Sequence, residues 1–292
     1  MAFRLKRGKA VGRQLSHVVS AELTSAVDAA GSSRTMSVDN VHEVRKHVKK
    51  VRAVLRLLEA SLGKAYDSLS SALRSASRRL SALRDADASG ETLEKLRVRY
   101  PRVLTASVVR SLDRALKADK QRAQSRVPRL LPGVVRTLER STRTVPRQIR
   151  KAAGQDAMRA GMRRTYQRAR EAMTLARGQN DDEGLHRWRR RVKDHWYHMR
   201  LLKGVNGRIS ARVRRLKQLG TWLGDHQNLV VLHRQILNAP AHFGDERTIG
   251  AVLGCIDERQ LELRRRAYKR GTRLFAARPA RFRRQIDRWW KG

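Results

Sequence analysis

Cysteine occurs once in these 292 residues, at Cys255, so there is no disulfide framework and no cysteine-based zinc site. Cys255 lies within an apolar helical pattern and reads as a small buried hydrophobe. Aromatic residues make up only 5 % of the chain, which argues against base stacking on single-stranded nucleic acid. No run approaches the roughly 18 apolar residues that a membrane span needs. The basic N-terminus (Arg4, Lys6, Arg7, Lys9) leads into no apolar segment of the kind a secretory signal requires, so a soluble cytoplasmic protein is expected. Phosphate-loop spacing, His-Glu-x-x-His and Gly-x-Ser-x-Gly are all missing, and no helix-turn-helix or zinc-finger pattern appears. Acidic residues are scarce as well. Against 26 Asp and Glu stand 67 Lys and Arg, a formal net charge of +41. Such an excess repels itself in a folded chain and calls for a polyanionic partner. Nucleic acid, polyphosphate, anionic membrane and acidic protein all satisfy that demand.

Hydrophobic residues, at 40 %, suffice for a real core, and their spacing is helical throughout, with no convincing period-two alternation. The chain reads as all-α, with helices near 11–30, 40–62, 66–88, 102–126, 156–178, 182–204, 207–223 and 245–276. Breaks are expected at Gly31-Ser32-Ser33, Ser89-Gly90, Pro101, Pro128, Pro132-Gly133, Pro146, Gly178, Asn206-Gly207 and Pro240. Asn40 with Glu43 has capping-box spacing, and the acidic run from Asn180 to Glu183 reads as a second helix start.

A basic stripe occurs twice. Val41, Val44, Val48, Val51, Leu55, Leu58 and Leu62 step by three and four, the seam of a core-facing helix. His42, Arg45, Lys49, Arg52 and Arg56 repeat that step one residue later, about 100° round the helix, at the lip of a helix–helix groove. In the stretch from Leu185 to Leu202 the same register returns, with His186, Arg189, Lys193 and Arg200 matching His42, Arg45, Lys49 and Arg56. Trp196 takes the slot of Arg52, leaving the second stripe one charge poorer. A lone arginine in so basic a chain would be a solvated surface charge. Repetition in register points instead to an anion surface, and a stripe about 20 Å long suits a linear polyanion. Further along, Asp85 falls opposite Asp225, so each half supplies about four principal helices. We expect two pseudo-twofold-related four-helix bundles, 11–145 and 146–290, forming one domain over 11–290.

With its His-x-x-Arg-x-x-x-Lys stripes, its Gly161–Arg170 and Thr221–Leu232 segments and its closing Lys269–Pro279, the sequence resembles the CHAD family, the conserved histidine α-helical domain. The resemblance implies two four-helix bundles around a basic channel and binding of inorganic polyphosphate, which also suggests association with polyphosphate granules. Polyphosphate contacts are assigned to Arg13, His42, Arg45, Lys46, Lys49, Arg52, Arg56, Arg164, Arg168, His186, Arg189, Arg190, Lys193, Arg200, Lys217 and Arg265. His42 and His186 are placed in the first turns of their helices, where free amides favour an anion. Asp85, Asp87, Asp181 and Asp225 read as helix caps or arginine partners, so no metal, cofactor or catalysis is expected. The alternative is a nucleoid-type protein that binds nucleic acid; on the polyphosphate reading, nucleic acid binds more weakly and without specificity. Tyr166, Trp188 and Trp222 are read as core residues.

Overall fold

The structure is a computed structural model that describes residues 3–31, 37–207 and 209–291. It contains helices and no strand among the described residues. In chain order these are α1 (Val11–Gly31), α2 (Val38–Leu57), α3 (Glu59–Leu62), α4 (Lys64–Arg79), α5 (Ser81–Arg99) and α6 (Ala106–Ser125). There follow α7 (Val127–Ala152), α8 (Gln155–Gln179), α9 (Asp182–Leu201), α10 (Ile209–Asn238), α11 (Glu246–Leu274) and α12 (Pro279–Lys291). No helix is long and apolar enough to cross a membrane.

The seam predicted on α2 is buried: Val41, Val44, Val48, Val51, Leu55 and Leu58 all lie in the core. Around it α1 packs on α2 and α7, while α4 packs on α2 and α7. In the second half α8 packs on α9 and α12, and α9 packs on α10. These helices share one large cluster of buried side chains. A smaller cluster joins α5 and α6 to α11 and the C-terminal part of α10, with Leu93, Leu112, Leu232, Ile256 and Cys255 inside it. The stripe helices α2 and α9 touch each other where the halves meet, and α5 touches α10 beside them. Tyr166 and Trp188 are fully buried, whereas Trp222 is half-buried against the smaller cluster.

Several expected boundaries move. Helix α2 starts a turn earlier than its capping-box spacing suggests, because Ser37 and not Asn40 is the N-cap, its hydroxyl accepting the amide of Asn40 at 3.1 Å. On α9 the acidic start is as read, and Asp181 caps the amide of Gly184 at 2.6 Å. No break falls at Ser89-Gly90; the helix is interrupted at Leu80 instead, and Ser89 is buried with its hydroxyl donating to Gln235 Oε1 at 2.5 Å. Helix α7 runs unbroken through Pro132-Gly133 and Pro146. An interior proline costs about 3 kcal/mol, but α7 buries Val127, Val134, Leu138, Val145 and Ile149 along one face, and that packing outweighs it. Of the break at Gly31-Ser32-Ser33, both serines lie outside the described residues.

Candidate anion-binding groove

Where α2 and α9 meet, the stripes of the two halves converge. Lys49 is surrounded by Arg45 on its own helix, Arg189 and Lys193 on α9, and Arg84 on α5. Lys49 is exposed to water on one side and walled by protein on the others. The low polarisability of those walls and the four neighbouring cations push its ammonium pKa down to about 7. Lys193 is lowered to about 8 by burial, Arg189 and Lys217, an effect that Asp225 partly opposes. Two carboxylates belong to this group. Asp85 faces Arg45, Arg84, Lys49 and Arg189, and burial still raises its pKa; Asp225 accepts from Lys95 at 3.2 Å. Cations outnumber acids here, and the charge is not neutralised within the protein.

A second group continues along α2. Arg52 and Arg56 lie with Arg74 of α4 and with Arg190, Arg191 and Asp194 of α9. Asp194 is buried and ion-paired to Arg56 across the α2–α9 contact. Burial and the crowd of guanidiniums lower the pKa of Arg52 to about 10. At the C-terminal end of α2 a third group gathers: Arg164 donates to the carbonyls of Arg56 and Leu57 at 3.4 and 3.3 Å, and Arg168 donates to Glu59 at 2.5 Å. Gly161 lets α8 come this close, since a Cβ there would overlap the Leu57 carbonyl.

Of the other residues singled out from sequence, Arg200 adjoins Lys193 and His186 adjoins Arg189 and Arg190, while the rest stand apart. Lys46 is ion-paired to Glu43, and Arg200 stacks on Trp196 at 4.8 Å and on Phe3 at 5.5 Å. Arg13 lines a recess with Arg150 and Trp290, at the junction of α1 with α7, and Arg265 is exposed on α11. His42 is exposed, while His186 is half-buried with its Nδ1–H directed to Gln227 Oε1 at 2.6 Å. Each histidine is the fifth residue of its helix, one place beyond the first turn in which it was expected, so neither has the free amides beside it.

Arg84, Arg74 and two glycines were not legible as site residues. Arg84 aligns with Gly224 in the repeat, which hides it. Gly220 and Gly224 lie one turn apart on α10, and Lys193 Cε and Arg189 Nε lie 3.3 and 3.6 Å from where their Cβ atoms would be. The glycines thus form a slot for the two α9 cations. The Gly-x-x-x-Gly spacing was the available signal. Deeper in the contact, His198 Nε2–H donates to the Ala53 carbonyl at 2.7 Å, tying α9 to α2 beneath the stripes. Among the described residues, no three His, Cys, Asp or Glu side chains converge in a metal-binding arrangement.

The CHAD domain family matches residues 13–237. The chain belongs to the CHAD family. Its fold is similar to the crystal structure of the CHAD domain from the plant Ricinus communis, with a TM-score of 0.71, 18 % identity, and 95 % and 96 % of the two chains covered. It is also similar to PptA from Streptomyces chartreusis, with a TM-score of 0.61, 16 % identity, and 92 % and 100 % coverage. No curated protein matches the chain. At these identities the structural likeness concerns the fold, and the all-α architecture of a CHAD protein is what it shows.

Proposed function

We propose that this CHAD protein binds inorganic polyphosphate, without catalysis, in the groove between α2 and α9. The observation that carries the reading is the crowding of Arg45, Lys49, Arg189 and Lys193, drawn from both halves of the chain. Holding four cations together against their repulsion has a use only where an anion of high charge density relieves it. The second cluster of Arg52, Arg56, Arg74 and Arg190 extends the track beyond the reach of one small phosphate ester. On this reading the halves 11–145 and 146–290 are related by a pseudo-twofold axis near Lys49 and Lys193 and act as one binding unit over 11–290. The place of action is the cytoplasm, at polyphosphate granules, with weaker and non-specific binding of nucleic acid.

Competition between long-chain polyphosphate and duplex DNA at physiological salt tests the assignment. Polyphosphate is expected to win, because a groove between helices about 8–10 Å apart admits a thin chain and not a duplex; a win for DNA returns the protein to the nucleoid class. Replacing Arg45, Lys49, Arg189 and Lys193 by Ala is expected to weaken polyphosphate binding at least tenfold more than replacing four exposed basic residues elsewhere, such as Arg102, Arg110, Arg114 and Lys117. Equal losses would mean that a diffuse field, and no groove, holds the ligand.

A further inference from the structure

Helix α7 carries six arginines and one lysine against a single acid, Glu139. Its apolar face is buried, so the face left to solvent presents guanidiniums and hydroxyls. Where α7 packs on α4, a recess of about 550 Å3 opens. Its basic lining residues are Arg79 of α4 and Arg136 and Arg140 of α7, and no acid lines it. Ser68 and Ser75 of α4 supply hydroxyls between them, whereas Thr137 gives its own to the Gly133 carbonyl at 2.8 Å. None of the three arginines has a carboxylate partner among the described residues. Gly133 is part of the construction, because a Cβ at that position would occupy the place of the Arg79 guanidinium. Glycine in a helix interior is otherwise unfavourable, so the Pro132-Gly133 pair that read as a break serves as a seat for Arg79.

The recess is separate from the groove. At 100° per residue, Ser68, Ala72, Ser75 and Arg79 lie roughly 100–160° round α4 from Arg74, which faces Arg52 and Arg190. We propose that the α4–α7 recess is a second binding site, taking a short linear stretch of phosphate units, so that one protein holds a long chain at two places. Three guanidiniums around a polar recess match the several oxygens of a phosphate chain, each able to bracket an oxygen pair. A bilayer surface fits less well, since an interfacial helix needs apolar residues to insert and α7 has spent its own on the core. A duplex is too broad for a recess between two packed helices.

This inference rests on the polyphosphate reading, and calorimetric titration of the full chain with inorganic tripolyphosphate separates the two. The wild type is expected to show two sites. Arg79→Ala with Arg136→Ala and Arg140→Ala should abolish one of them, and Arg45→Ala with Lys49→Ala, Arg189→Ala and Lys193→Ala the other. A control lacking Arg102, Arg110 and Arg114 should keep both. Gly133→Ala, which pushes Arg79 aside, should weaken the second site about tenfold while the melting temperature holds or rises. If the Arg79 triple variant titrates like the control, the recess is no site, whatever becomes of the groove. A single site abolished by the triple variant and untouched in the groove variant overturns the groove and leaves the recess standing; no heat of binding at all overturns both. Retained tripolyphosphate binding with lost binding to a 20-base-pair duplex, or to phosphatidylserine vesicles, would give the surface to those partners and overturn the proposal.

Discussion

Lys49 has Arg45, Arg84, Arg189 and Lys193 around it, with Asp85 nearby, and its ammonium gives up its proton near pH 7 where an ordinary lysine does so near 10.5. Lys193 faces Arg189, Lys217 and Arg200, with Asp225 opposing, and does so near pH 8. Between pH 6.5 and 9 the free protein therefore sheds two charges from the middle of the groove. A polyanion lying there favours the charged ammonium and raises both values, so binding takes up protons wherever the free lysines have lost them. Polyphosphate affinity should accordingly rise as the pH falls from 9 to 6.5, by roughly tenfold or more, and flatten below. Dissociation constants measured at fixed ionic strength would show it, and Lys49→Arg with Lys193→Arg should remove the slope, since guanidinium stays charged throughout. A slope that survives in the arginine variant would place its origin elsewhere. The same shift acts on folding with the opposite preference. An unfolded lysine keeps its proton up to about 10.5, so the ligand-free protein should gain stability as the pH rises from 7 towards 10.

At the scale of helices, α9 carries two buried histidines that cannot easily charge, one tied to α2 and one packed against α8 and α12. His198 gives its Nε2–H to Ala53, and full burial lowers its pKa to about 4. His195 sits 5.5 Å from Tyr166 and 5.3 Å from Phe282, and burial holds it well below the usual histidine range. Both folded-state values lie below the unfolded one, so the stability they contribute is complete above about pH 6.5 and is lost as the pH falls towards 4. For His198 we expect about 2 kcal/mol to disappear by pH 5, and His195 acts in the same direction. Thermal melts at pH 7 and 5 should show His195→Phe, which suits an aromatic surrounding, losing less than the wild type; an equal loss would exclude His195 as a source. The stripe helices were legible because one period, 3.6 residues, sets both the core seam and the basic row beside it. The two buried histidines were not, since His195 and His198 fall where the repeat puts Val51 and Val54 in the first half. Helix α7 misled the reading for another reason. Proline and glycine report local cost, whereas the buried face of α7 and the seat of Arg79 are tertiary and leave no local trace.

For the whole molecule the question is whether a groove so rich in cations also breaks the chain it is proposed to hold. Splitting a phosphoanhydride requires an aligned water and stabilisation of the leaving phosphate, usually with a metal held by carboxylates. The carboxylates along the groove are otherwise engaged, Asp194 in its ion pair with Arg56. Asp85 faces Arg45, Arg84, Lys49 and Arg189, and Asp225 accepts from Lys95. Each thus has cations as its neighbours. A row of arginines grips each unit of a polymer alike, and binding ground state and transition state equally accelerates nothing. What net charge of +41 does provide is affinity through counterion release, so binding should weaken steeply and linearly in log salt, by analogy with nucleic acids. The protein should therefore neither shorten polyphosphate nor hydrolyse nucleoside triphosphates, with or without magnesium or manganese. Phosphate release followed for hours at high protein concentration is the measurement, in the wild type and in an Asp85→Ala, Asp225→Ala double variant. The variant should release no less phosphate than the wild type, and should bind polyphosphate more tightly because two repelling carboxylates have left the groove. Turnover in the wild type that vanishes with the two aspartates would make them catalytic and the groove an active site.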